Sequence, residues 1–215
     1  MGFNVKNRNI NSMSKFIGIS IFLVPLVFSI LAFRTYDNGA YTIGDTVEDF
    51  TLTNYDGSMI SLSGYNNAKG LIIVFTGNQC PFDQAYESRL IDLDRKYRAD
   101  GFILLAINPN DAGMSAVDNL EAIRARAQQK SFTFPFLFDE SGSLRRKFGV
   151  VRSPHAFVLD GARKIVYSGA IDDSVTEPEK IRSRYVEEAI IALKEGKSIV
   201  KPLTKPVGCT VKADF

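Results

Sequence analysis

Cys80 and Cys209 are the only thiols in a chain of 215 residues, and the first stands where a thiol is easily ionised. It follows Gly70-Leu-Ile-Ile-Val-Phe-Thr, a β-branched and aromatic run bounded by Gly70 and Gly77 that reads as a strand buried on both faces. Pro81 comes next. Proline is well tolerated at the first helical position because its missing N–H would have had no intrahelical partner, so Cys80 is predicted to be the N-cap of a helix. There, free backbone N–H groups and the positive end of the helix dipole favour thiolate, the nucleophilic form of the group. No charged side chain lies between Lys69 and Asp83. The local field is therefore expected to come from the backbone, unless a distant segment folds over the site, and Asp83 in the first turn should oppose ionisation.

The rest of the chain supplies elements that can hold such a residue. Alternating apolar and polar residues from Asp49 to Leu62, around Asp56-Gly57, predict a hairpin. The helix after Cys80 carries Phe82, Tyr86, Leu90, Leu93 and Tyr97 on one stripe and should end near Gly101, with Phe82 and Tyr86 in the core. Phe102–Ile107 reads as a second buried strand, Ser115–Lys130 as a helix with Val117, Leu120, Arg124 and Ala127 in register, and Phe134–Phe138 as a short strand. This alternation implies βαβ units. A short helix at Ser143–Phe148 and a hairpin from Ala156–Leu159 to Lys164–Ser168 complete a mixed sheet. A last helix is expected to open with the capping box Thr176-Glu-Pro-Glu179, carry Ile181, Tyr185, Ala189 and Leu193, and stop at Gly196. The fold class is thus α/β, a central mixed sheet flanked by helices. The charged stretch Asp92–Asp100 and the group Arg124, Arg126 and Lys130 read as solvated helix faces.

Residues 1–33 stand apart. Phe16–Phe33 runs for 18 residues without a charge, nearly a bilayer core at about 1.5 Å per helical residue. Lys6, Arg8 and Lys15 precede it and no acid occurs before Asp37, which puts the N-terminus in the cytoplasm and the remainder outside. Small residues are poorly placed for cleavage, since Ile30 stands two before Ala32 and Ala40 lies well past the apolar run. An uncleaved anchor is therefore favoured over a signal peptide. Boundaries follow: 1–33 export signal or membrane anchor, 34–46 linker, 47–197 the α/β domain, and 198–215 an irregular tail carrying Cys209. Without residues 1–33 the chain has 23 basic and 24 acidic side chains, a formal charge of −1 rather than +2, with no basic stripe to suit nucleic acid. Two cysteines and one histidine, His155, are too few for a structural metal site, and no cofactor is expected. His155 is expected to be a partly exposed strand residue rather than a catalytic one.

The segment Phe75-Thr-Gly-Asn-Gln-Cys80-Pro-Phe-Asp83, following a hydrophobic strand, resembles the active-site segment of thioredoxin-like redoxins. The resemblance spans Val47 to Glu195 and includes Gly149-Val-Val-Arg-Ser-Pro154 and Phe157-Val-Leu-Asp-Gly161. It is nearest to peroxiredoxin-like proteins of the redoxin and alkyl-hydroperoxide-reductase superfamily, many of which also end in a tail like Gly208-Cys209. It implies a thioredoxin-like fold and a cis peptide before Pro154. It also implies that Pro154 lies beside the reactive sulfur and exposes backbone to a bound substrate strand, with Pro154, Ser153, Gln79 and Pro81 as the substrate-binding residues. Asp83 replaces the second cysteine of the dithiol motif, so local Cys-x-x-Cys exchange cannot operate. Gly77 and Gln79 replace a cysteine and a histidine that related sequences often carry. Thr76 is one place away from the peroxidatic threonine position, and Arg152 is the candidate for the family's arginine, so disulfide exchange is favoured over peroxidase activity.

Within that resemblance Cys209 is the candidate resolving thiol for a sulfenic acid or mixed disulfide on Cys80. A permanent staple, or no bond, are the alternatives. The expected function is that of an exported thiol-disulfide oxidoreductase or thiol-dependent antioxidant protein. Its partners would be a protein or small-molecule disulfide or hydroperoxide and a thiol reductant, with the membrane engaged through the N-terminal segment. The competing class is a non-enzymatic binding module on the same fold.

Overall fold

Asp56-Gly57 turns the chain between antiparallel strands β1 (Thr51–Asn54) and β2 (Met59–Ser61), with Gly57 in the left-handed region at φ +91°. In this computed structural model the described residues are 1–2 and 39–213. Phe16–Phe33, and with it the predicted membrane segment, lies outside them; among the described residues no helix is long and apolar enough to cross a membrane. The elements below all belong to the unit formed by residues 37–215.

The apolar run after Lys69 forms β3 (Gly70–Phe75), every residue of which is buried. It leads into α1 (Pro81–Arg98), β4 (Phe102–Asn108), α2 (Leu120–Lys130), β5 (Phe136–Phe138) and the short α3 (Ser143–Lys147). Then come β6 (Arg152–Ser153), β7 (His155–Asp160), β8 (Ile165–Gly169), α4 (Tyr185–Lys194) and β9 (Cys209–Thr210). The main sheet has the order β2-β1-β5-β4-β3-β7-β8, parallel at β3–β4 and β4–β5 and antiparallel elsewhere. The predicted βαβ alternation and mixed sheet are thus observed, with β3 inside the sheet.

Because side chains alternate across a strand, β3 serves two cores. Ile72 and Val74 pack with Tyr86, Leu90 and Tyr97 of α1 and Ala189 and Ile190 of α4. Leu71, Ile73 and Phe75 pack on the other face with Leu144, Phe148 and Phe157. Buried on both faces and paired on both edges, β3 fixes where its C-terminal end, and therefore Cys80, can sit.

Several boundaries differ from the sequence expectation. The helix expected from Ser115 begins at Leu120, because Asn119 caps it by accepting from the Ala122 N–H at 2.8 Å, while Ala116–Asp118 makes a 3-10 turn. Its buried positions are Ile123 and Ala127, and Val117 is exposed. The last helix begins at Tyr185, not Thr176; Pro178–Lys180 is only a 3-10 turn. The segment ahead of α4 is tied instead to the loop after β8, where Asp173 Oδ1 accepts from the Arg182 N–H at 3.0 Å and the Asp173 N–H donates to Ser183 O at 3.1 Å. Phe82 is only half-buried, whereas Tyr86 is fully buried. Asp94, expected on a solvated face, is buried and accepts from Arg98 and from the Thr133 hydroxyl at 2.6 Å.

Candidate active site

Cys80 is the N-cap of α1, with extended backbone (φ −67°, ψ 125°), Pro81 at the first helical position, and its carbonyl accepting from the Gln84 N–H at 3.0 Å. It is 9% exposed. Its Sγ is bonded to Cys209 Sγ at 2.07 Å, with the two Cα atoms 6.0 Å apart and a sequence separation of 129. The Ser153–Pro154 peptide is cis, and the Ser153 carbonyl oxygen lies 3.8 Å from Cys80 Sγ.

Cys209 arrives on a strand. β9 pairs antiparallel with β6, Ser153 opposite Cys209 and Arg152 opposite Thr210. The sequence expectation of an irregular tail missed this strand, since two residues behind two prolines show no periodicity. Gly208 is what allows the approach: a Cβ there would stand 1.9 Å from Ser153 O and 2.9 Å from Pro154 Cδ. Past the cysteine, Val211 is 3% exposed, packs into the second core and donates its N–H to Val151 O at 3.1 Å. The Lys212 N–H donates to Asn110 Oδ1 at 2.9 Å, and Lys212 O accepts from the Asp111 N–H at 2.8 Å. Noncovalent ties therefore hold the tail on both sides of the sulfur.

The sequence-designated residues Cys80, Cys209, Ser153, Pro154, Gln79 and Pro81 come together here. All of them but Pro154 line a cleft of about 500 Å³ beside the disulfide, together with Gln84, Asn110, Thr210 and Lys212. Lys212 Nζ donates to Gln79 Oε1 at 2.9 Å, so a cation from the far end of the chain does fold over the site. Arg152 Nη1 donates to Gly208 O at 3.0 Å. It thus holds the tail.

Beneath the disulfide lies a polar layer that sequence reasoning did not identify as a unit. Asp83 is completely buried; its Oδ2 accepts from the Gly77 N–H at 2.8 Å and from Ser153 Oγ at 2.9 Å. Burial pushes its carboxyl up to about 7; the Gly77 N–H and the Ser153 and Thr76 hydroxyls hold it back, and the nearby Asp118 carboxyl adds to the rise. Asp118, also buried, accepts from the Asn78 N–H at 3.0 Å, Asn108 Nδ2 at 2.9 Å and Ser115 Oγ at 2.5 Å. Gly77 is sealed between these groups: a Cβ would meet Asn110 Nδ2 at 2.5 Å and Asp83 Oδ2 at 3.2 Å. Its glycine and Asp83 are therefore one arrangement. Short polar residues within 76–78, 108–110 and 115–118 were the available signal, spread over the ends of β3 and β4 and the 3-10 turn before α2.

His155 is not partly exposed, as the sequence suggested, but buried on β7. Its Nε2 lies 3.0 Å from Ser168 Oγ, its ring stacks on Phe157 at 4.3 Å between centroids, and burial pushes it down to about 4. These contacts turn it toward β8.

Residues 43–168 match the model of the AhpC/TSA family. The chain belongs to the AhpC/TSA family. The thioredoxin-like redoxin resemblance carried by the Cys80 segment is thereby borne out. Among curated relatives of this AhpC/TSA chain, the thiol-disulfide oxidoreductase ResA of Geobacillus thermodenitrificans is 26% identical over 145 residues, covering 67% of this chain and 79% of that protein. Among solved structures, an uncharacterized conserved protein from Geobacillus kaustophilus is 28% identical with a TM-score of 0.76, over 81% of this chain and 93% of the other. A hypothetical protein from Sinorhizobium meliloti 1021 is 27% identical with a TM-score of 0.75, over 81% and 96%.

Proposed function

We propose that this protein is a thiol-disulfide oxidoreductase whose redox pair is Cys80 and Cys209, tethered on the outer side of a membrane by its N-terminal segment. The observation that carries this reading is the delivery of Cys209: strand pairing with Ser153, the Gly208 contact and the anchoring of Val211 and Lys212 set its sulfur at Cys80 from a distance of 129 residues. A second cysteine brought by the tail supplies what Asp83 denies to the helix. The thiol-disulfide oxidoreductase relatives support the same assignment.

The chemistry follows from the asymmetry of the pair. Cys209 is the more exposed residue and Cys80 the better leaving group, because its thiolate is received by the N-terminus of α1. An incoming thiolate attacks Cys209 Sγ, forming a mixed disulfide and passing the bonding electron pair to Cys80 Sγ. In the separate half-reaction with a substrate disulfide, the Cys80 thiolate bonds to one substrate sulfur and expels the other as thiolate; Cys209, held opposite Ser153, then attacks Cys80 Sγ and displaces the bound substrate sulfur as thiolate while the Cys80–Cys209 bond re-forms. Ser153, Gln79 and Pro81 border the cleft where the partner's sulfur would enter, and the cis peptide to Pro154 follows directly on Ser153. Arg152, engaged by Gly208 O, favours this reading over peroxide chemistry.

A second reading draws on the buried Val211: the disulfide is a permanent staple and the domain a binding module. The test is turnover of a protein disulfide by a small dithiol in the presence of wild type, Cys80→Ser and Cys209→Ser. Catalysis by wild type, none by Cys80→Ser and a stalled adduct in Cys209→Ser are expected. Equal uncatalysed rates for all three would leave the staple.

A further inference from the structure

Asp83 occupies the third position of α1, one turn from the Cys80 N-cap, where a dithiol motif would place its second sulfur. Both hydrogen bonds it receives fall on Oδ2; Oδ1 is buried without a hydrogen-bond partner. Asp118, across Gly77, has donors on both oxygens, from Asn78 and Asn108 on one and Ser115 on the other. A bare buried carboxylate oxygen is costly, and a proton on it removes most of that cost. The asymmetry makes Asp83 the member of the pair that takes up a proton, in agreement with its carboxyl being pushed up to about 7. Ser153 connects this carboxyl to the reacting bond: its hydroxyl donates to Asp83 Oδ2, its carbonyl lies 3.8 Å from Cys80 Sγ, and its backbone pairs with Cys209.

We propose that Asp83 is a positioning residue for exchange at Cys80, a buried acid that must be protonated for the Cys80 sulfur to stand as a thiolate. The proposal rests on the reading that the Cys80–Cys209 bond opens by exchange. When an external thiolate bonds to Cys209 Sγ, the Sγ–Sγ bond breaks and its electron pair leaves on Cys80 Sγ. A full negative charge then forms one helical turn from Asp83. Neutral Asp83 leaves that charge alone in the field of the helix N-terminus; ionised Asp83 faces it with a second anion in a poorly solvated layer. Opening the bond therefore raises the proton affinity of Asp83, and ionising Asp83 raises that of Cys80. The other titratable or charged groups around this layer, among the described residues, are Asp118 before α2, Glu87 one turn further along α1 and paired with Arg126 and Lys130 of α2, Lys212 at Gln79 and Arg152 at Gly208, with His155 on β7 turned to Ser168.

The test is the pH titration of the Cys80 thiolate, followed by its ultraviolet absorbance, in Cys209→Ser and in Cys209→Ser combined with Asp83→Asn. Cys209→Ser is expected to titrate in two coupled steps. Asp83→Asn should leave a single step, with about tenfold more thiolate relative to thiol above pH 7. Superimposable curves would overturn the proposal. Asp83→Asn could disturb the layer, so a second measurement keeps residue 83 intact: the infrared carbonyl band of protonated carboxyl at pH 7 should grow when the disulfide of wild type is reduced, and an unchanged band also overturns the proposal. Neither readout needs turnover. Absence of catalysis in wild type would remove the proposed function while leaving these titrations readable.

Discussion

Asp83 and His155 are both buried ionisable groups, and they pull the pH dependence of stability in opposite directions. The carboxyl of Asp83 is raised from 3.8 to about 7 in the fold, so its contribution is fully present below pH 3.8 and is lost as pH rises through 7, a swing of about 4 kcal/mol. The imidazole of His155 is lowered from 6.5 to about 4, so its contribution is present above pH 6.5 and is lost as pH falls through 4, about 3 kcal/mol. Between pH 4 and 6.5 the two slopes oppose each other. Urea unfolding of wild type should be nearly flat with pH across that window. Asp83→Asn should make stability climb with pH, and His155→Gln should make it fall; parallel profiles for the three would contradict the assignments. At this scale Cys80 and Pro81 were legible because an N-cap is a local pattern. Asp83 was visible as a charge, but its burial depends on Ser153 and Gly77, which only tertiary structure brings to it.

The decisive element is β9, two residues long. Its position rests on Gly208 and Val211 rather than on length. Gly208→Ala would push a methyl group against Ser153 O, and overpacking of that kind costs about 1–3 kcal/mol, so the thiol–disulfide equilibrium for Cys80–Cys209 should shift by about fivefold or more toward the dithiol. Val211→Ala, which empties part of the second core, should act in the same direction by about 1–2 kcal/mol. Equilibration against a glutathione buffer, read by alkylation and mass, measures both; unchanged equilibria would mean that the tail is positioned by the sulfur bond alone. Helical and buried-strand periodicity placed β3, α1, β4 and the β7–β8 hairpin correctly, because each carries its own apolar pattern. It failed at the start of α4, where Asp173 captures the preceding backbone in place of a capping box, and at β9, which has no pattern to read.

Across the whole molecule the Cys80–Cys209 bond closes a loop of 129 residues. In the chain-entropy picture such a closure contributes up to about 5 kcal/mol, so reduction should lower the urea midpoint without changing the fold. The full fall is expected if the ties of Val211 and Lys212 hold the tail in the dithiol form as well, and a smaller one if the tail frays. An undiminished midpoint would contradict the loop-closure contribution. The order of the sheet was readable in outline from the alternation of strands and helices. The meeting of the C-terminal tail with the start of α1 and with Ser153 at one cleft was not, since nothing near Lys212 or Cys209 refers to Gln79 or Ser153 except through the folded sheet.

The central claim is that Cys80 is an exchanging nucleophile and Cys209 its resolving partner. Its most direct test is to mix reduced Cys209→Ser protein with a disulfide-linked peptide, quench with acid and locate the adduct by mass. A peptide joined to Cys80 is expected, persisting in Cys209→Ser and released in wild type as the Cys80–Cys209 bond forms. A Cys80 that stays free in the folded protein, and is modified only after unfolding, would contradict it.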